Sequence, residues 1–275
     1  MKKISKNLSR VFFVLIMLAI VSCSSIKIPG NSEPTDADIN AQAAQSYLEV
    51  KAKSKISTNK EWNDMVQRVA RRIAIVSGEK FQWETVLIES PEVNAWCMPG
   101  GKMAVYTGIM PVLKTEAALA AVMGHEVAHA TLRHGKQRYA RAINENLIGM
   151  AVGGAAILGG QFLCKTETCR SLSLLAGASA AFAITFFERK FSRGDESEAD
   201  QKGQMYMAQA GYDPSEAPRL WDRMSAGHEG KAPPEFLSTH PSDERRKEAL
   251  NSWMMEAQKA YSLSPQHFGL GQNIK

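Results

Sequence analysis

Two imidazoles four residues apart, with a carboxylate directly after the first, stand at His125-Glu126-Val127-Ala128-His129. On a helix, positions i and i+4 lie one above the other on one face, so both rings reach a single Zn²⁺ while Glu126 stands beside the ion as a base. The chemistry open to such a group is metal-assisted hydrolysis, in which the ion acidifies water and the carboxylate carries the proton. The neighbouring residues supply the helix that the spacing demands. Thr115 is a capping residue and Glu116 an acid in the first turn, where the helix dipole favours it. Leu119, Val122, Met123 and Val127 recur at helical spacing, and Gly135 follows the last apolar residue.

A catalytic zinc usually takes three protein ligands and keeps one position for water, so a third ligand is expected downstream. The segment Arg193-Gly194-Asp195-Glu196-Ser197-Glu198-Ala199-Asp200 opens a helical stretch closed by Gly211 and puts Glu196 and Asp200 on one face. Glu196 is within reach of a metal there, and Asp200 is suited to accept the second N–H of a ligating imidazole and so fix its tautomer. Glu198 points elsewhere. Alone, the segment reads as a solvated acidic first turn; the pairing with His125 and His129 gives it meaning. His240 opens another helix, with Thr239 or Ser238 as cap, Pro241 at the first position and Asp243 and Glu244 in the first turn. For His134, His228 and His267, packing or surface exposure is the default.

The N-terminus has a basic stretch (Lys2, Lys3, Lys6, Arg10), an apolar run over residues 11–21 and then Ser22-Cys23-Ser24-Ser25. The run is too short to span a bilayer, and the layout is that of a secretory signal over residues 1–22. Ile20-Val21-Ser22-Cys23 resembles a bacterial lipobox, which makes Cys23 the expected lipidation site and first mature residue. Four of the 33 basic residues lie in residues 1–22 with no acid among them, so 29 basic residues face 28 acidic ones in the remainder. A sequence pI near 9.0 is therefore no argument for a nucleic-acid partner, and no basic stripe with interleaved aromatics occurs. Cys164 and Cys169 flank a polar tip and are the expected disulfide, leaving Cys97 as a free thiol; the alternative keeps all three reduced.

Residues 23–38 read as a polar tether, 39–262 as one domain and 263–275 as a C-terminal tail. Helices are expected over Ile39 to Ser57 and Glu61 to Ser77, strands over Gln82 to Glu89 and Lys102 to Tyr106, and helices beyond Thr115. Residues 147–187 hold two apolar stretches dense in small residues, each shorter than a membrane span. They are expected to form a helical hairpin beside the active site, with a dip into lipid as the alternative. The fold class is α+β, mostly helical, with a small sheet.

Taken in order, Asn94-Ala95, Pro99-Gly100-Gly101, Tyr106-Thr107-Gly108, His125 to His129 with Arg133-His134, Glu196 to Asp200, and Ser238-Thr239-His240-Pro241 with Arg246 resemble the zinc metalloprotease family of the CAAX prenyl endopeptidases, the heat-shock protease HtpX and the lipoproteins LoiP and BepA. The resemblance implies a gluzincin domain with one Zn²⁺ per chain, held by His125, His129 and Glu196 rather than Asp200. It implies that Glu126 is catalytic and that His240 approaches the metal, either to stabilise an oxyanion or to occupy the open position at rest. Arg246 would orient His240 or a nearby carboxylate. The strand formed by Gly101, Lys102, Met103, Ala104 and Val105 is implied as a sheet edge on which an extended substrate lies. Cys97 departs from the apolar residues expected near that cleft. The function so implied is endoproteolysis of unfolded or misassembled envelope polypeptides by a protein lipid-anchored to a membrane at the periplasmic face of the bacterial envelope, on the outer membrane. A zinc-stabilised chaperone or assembly lipoprotein is the rival reading, and an integral-membrane CAAX-type peptidase a third.

Overall fold

The computed structural model describes residues 34–141, 186–187, 190–226, 236, 240, 244–270 and 273–274. The signal segment, Cys23, most of the expected hairpin, Cys164 and Cys169 lie outside the described residues. No helix among the described residues is long and apolar enough to cross a membrane.

Helix α1 (Asp36–Lys53) begins inside the stretch read as tether. Thr35 and Asp38 form a reciprocal capping box, so the acids that resembled solvated linker are a helix start. The helix also stops short of Ser57, because Ile56 bridges to Ile88 and Ser57 donates to Leu87 O at 2.9 Å. Helix α2 (Lys60–Ser77) is capped by Asn59, which accepts from the Trp62 amide, and is followed by a sheet of β1 (Glu84–Ile88), β2 (Ala95–Met98) and β3 (Lys102–Tyr106). Strand order is β1-β3-β2, with β1 parallel and β2 antiparallel to β3. Pro99-Gly100-Gly101 turns β2 into β3 with positive φ at both glycines, a conformation that costs glycine little.

The sheet corrects two expectations. Strand β2 was not foreseen, since all four of its residues are buried and no alternation marks it. Strand β3 was expected at the edge, yet it is paired on both sides, so Gly101 to Val105 have no free ladder for a substrate.

A short helix, α3 (Met110–Leu113), leads to α4 (Glu116–Thr131), which carries the paired imidazoles. Thr115 caps it by accepting from the Ala118 amide at 3.1 Å. Every residue from Glu116 to Ala130 is buried, so α4 is the central rod of the core rather than an amphipathic surface helix. Its buried Glu116 is held by Arg68 at 2.6 Å and by the Tyr212 hydroxyl at 2.9 Å. Helix α5 (Arg193–Gln209) packs along α4, and α6 (Glu216–Ala226), α7 (Glu244–Ser252) and α8 (Met254–Ser262) complete the domain. The stretch read as a tail is docked: Phe268 donates to Gly211 O at 2.7 Å, and Ile274 to Lys114 O at 2.8 Å, just before α4.

Candidate metal centre

Helices α4 and α5 touch backbone to backbone. A Cβ built on Gly124 would lie 2.7 Å from Gly203 O, and one built on Gly203 would lie 2.6 Å from His125 N. This contact sets His125 and His129 against Glu196, two turns earlier on α5. His125 Nε2 and His129 Nε2 are 3.0 Å apart, and Glu196 Oε1 is 3.4 Å from His129 Nε2. His240 completes the group, its Nδ1 lying 3.2 Å from His125 Nε2 and 3.0 Å from Glu196 Oε1. All four side chains are buried, and one ligand atom from each falls within 4.8 Å of the others.

The donor set fits zinc. Two ligand atoms at about 2.0–2.1 Å from a tetrahedral ion stand about 3.3–3.4 Å apart. The observed separations of 3.0–3.5 Å bracket that value. Three imidazoles and one carboxylate converging on one point are a donor set that a zinc ion takes.

Each ligating ring is backed by a second group. His125 Nδ1 lies 2.9 Å from Asp200 Oδ1, and Arg246 clamps Asp200 through two contacts of 2.6 and 2.7 Å. Arg246 also reaches Glu196 Oε2 at 2.7 Å and stacks on Trp221, which ties the expected pair Asp200 and Arg246 to the site. His129 Nδ1 meets His134 Nδ1 at 2.9 Å, a contact not anticipated for a histidine assigned to packing. Phe191 stacks on His129 at 3.9 Å and Phe236 on His240 at 4.7 Å.

Charge follows burial and partners. Burial pushes Glu126 above the usual carboxylate range against the pull of His240 and His125. Burial acts upward on Glu196 and Asp200 as well, but His240 with the ring hydrogen bonds, and Arg246 respectively, outweigh it and hold both well ionised. Burial drives His129 well below the usual histidine value, leaving it neutral as a ligand must be. Burial lowers His125 too, yet Asp200 and Glu196 raise it to about 9, so loading an ion there displaces a proton.

Glu126 is buried at the cleft, with Oε1 3.4 Å from His240 Nε2 and no hydrogen-bond partner for that oxygen among the described residues. Opposite it runs β2, whose far side carries no strand among the described residues. Asn94 O accepts from Tyr106 N, so by antiparallel alternation the backbone groups of Ala95 and Cys97 face outward. The Cys97 backbone hydrogen-bonds Glu126 and lowers its pKa slightly. Cys97 itself is a free, buried thiol, raised in pKa by burial.

Comparisons with known proteins agree with this geometry. The sequence profile described as "Peptidase family M48" matches residues 57–254. "Mitochondrial metalloendopeptidase OMA1" of Schizosaccharomyces pombe is 39% identical over 199 residues, covering 70% of this chain and 53% of the relative. The protein of the same name from Arabidopsis thaliana is 36% identical over 172 residues, covering 62% of this chain and 32% of that one. The "Beta-barrel assembly-enhancing protease" of Escherichia coli is 27% identical over 177 residues, 64% of this chain and 35% of that protein. The chain thus spans about half the length of the first relative and about a third of the other two. The expected location on the periplasmic face of the bacterial envelope, at the outer membrane, is overturned: the relatives of higher identity are mitochondrial by name, and the bacterial one is more distant. That expectation rested on residues 1–25, which lie outside the described residues.

Proposed function

Since the chain belongs to peptidase family M48, we propose that it is a zinc-dependent endopeptidase that cuts unfolded or misassembled polypeptides. His125, His129 and Glu196 hold the ion, Glu126 is the general base, and His240 is a removable fourth ligand that closes the site at rest. Bound zinc supplies Lewis acidity and lowers the pKa of water toward about 7. Glu126, kept proton-avid by burial, is the residue that would hold the proton of the attacking water and pass it to the leaving amine. Asp200 and Arg246 hold His125 in the tautomer that offers Nε2 to the metal.

The observation that carries this reading is the outer edge of β2 beside Glu126, which pairs with no strand among the described residues. An extended peptide adds to such an edge through backbone hydrogen bonds, which select unpaired chain rather than sequence. A partner that must lend a bare strand is an unfolded or unassembled one, and the name of the Escherichia coli relative, a protease that enhances assembly, is in keeping with it.

The experiment is hydrolysis of unfolded casein by Glu126→Gln and by the chelated wild type. Glu126→Gln should bind zinc normally and lose about 10²–10⁴-fold in kcat, and chelation should abolish cleavage reversibly. Wild-type cleavage by zinc-loaded Glu126→Gln would remove Glu126 from the mechanism. Client binding that survives both treatments without any cleavage in the wild type would favour a chaperone.

A further inference from the structure

The two ligating imidazoles are backed in different ways. Behind His125 stands a buried carboxylate clamped by an arginine; behind His129 stands a third imidazole, His134, buried to 1% exposure. If His129 Nε2 faces the metal, its Nδ1 carries the proton and donates to His134 Nδ1 across 2.9 Å. His134 must then keep Nδ1 bare and its proton on Nε2. That nitrogen has an acceptor in place, Glu198 Oε2 at 3.3 Å. Each donor thus meets an acceptor in one chain of tautomers, from the metal side to Glu198, whose side chain is 67% exposed.

The backbone is bent to make this contact. Positions i and i+5 are not neighbours on a helix. Helix α4 breaks after Thr131, Arg133 takes a left-handed φ of 63°, and a new helix starts at 134. A non-glycine residue in that region is unfavourable, and it is secured here by side-chain bonds from Arg133 to Glu79 at 2.6 Å and Asp36 at 3.0 Å. Two carboxylates distant in sequence therefore hold one strained residue, and its effect is to swing His134 behind His129.

We propose that His134 is a positioning residue for the metal centre: it fixes the tautomer and orientation of His129, with Glu198 as its solvent-facing anchor. The inference rests on His129 being a metal ligand. Outer-sphere partners of this kind typically change metal affinity by about 10–100-fold.

The test is zinc affinity by chelator competition in the full chain, for wild type, His134→Phe, His134→Gln, Glu198→Ala and His129→Ala. His134→Phe keeps the ring volume and removes the acceptor, and its affinity should fall about 10–100-fold. His134→Gln restores an acceptor oxygen and should recover part of the loss. Long-range ¹H–¹⁵N spectra of the zinc-loaded wild type should show His129 protonated on Nδ1 and His134 on Nε2, and Glu198→Ala should mix the His134 tautomers. Folded His134→Phe with affinity within about twofold of wild type, or His134 protonated on Nδ1, overturns the proposal. Should His134→Phe fail to fold, wild-type affinity in His134→Gln combined with an unmixed His134 tautomer in Glu198→Ala overturns it equally. Unchanged zinc affinity in His129→Ala would instead sink the ligand assignment beneath it.

Discussion

His240 faces two ways: Nδ1 lies among the metal ligands and Nε2 stands 3.4 Å from Glu126. A ring so placed would fill the corner that water and substrate need, which is the resting role proposed for it. His240→Ala should therefore raise basal casein hydrolysis, by about tenfold for each 1.4 kcal/mol by which the closed form is favoured. Turnover measured at matched zinc content checks this; a loss of similar size with zinc retained would make His240 a stabiliser of the transition state. The ligand residues were legible because a four-residue offset is a helical relation that sequence displays directly. His134 was not, because its meeting with His129 depends on the left-handed turn at Arg133, and that turn is held by Glu79 and Asp36 from distant elements.

At the level of elements, the contact of α4 with α5 decides the site. An exposed helical glycine replaced by alanine usually gains about 0.5–1 kcal/mol. At Gly203 the new methyl would meet the backbone of His125 at 2.6 Å, which no rotamer change relieves. Gly203→Ala should cost about 1–3 kcal/mol net and weaken zinc binding, because the helices part at the turn that carries His125. Urea unfolding and zinc titration are the measurements, and an unchanged midpoint would show that the crossing has slack. Sequence periodicity revealed both helices but not this contact, since small residues mark close approach only once the partner is known. Strand β2 escaped notice for a related reason: Ala95 to Met98 is short and buried on both faces, leaving no period of two to detect. The resemblance put the edge at the strand after Pro99-Gly100-Gly101, and that strand, β3, lies inside the sheet.

For the molecule as a whole, the centre joins chain segments far apart in sequence, and its rigidity depends on what holds the start of α4. That end is clipped by the C-terminal residues: the Arg72 guanidinium lies 3.4 Å from the Phe268 ring centroid, and Tyr212 bridges to Phe268. Phe268→Ala should cost about 1–2 kcal/mol and lower Tm by about 2–8 °C, with zinc affinity nearly unchanged, as differential scanning calorimetry and a zinc titration would show. Wild-type Tm would mean that this clip is ornamental. The glycine crossing has one more effect, on ionic radius. Calcium needs oxygens at about 2.3–2.6 Å and many of them, whereas zinc is content with four donors at about 2.0–2.1 Å. With donors already 3.0–3.5 Å apart and the two helices in van der Waals contact, a larger cation would require the donors to spread, and the backbone contact leaves His125 and Glu196 little room to do so. The spacing of two main chains thus works in the same direction as the nitrogen-rich donor set, against a large oxygen-seeking ion.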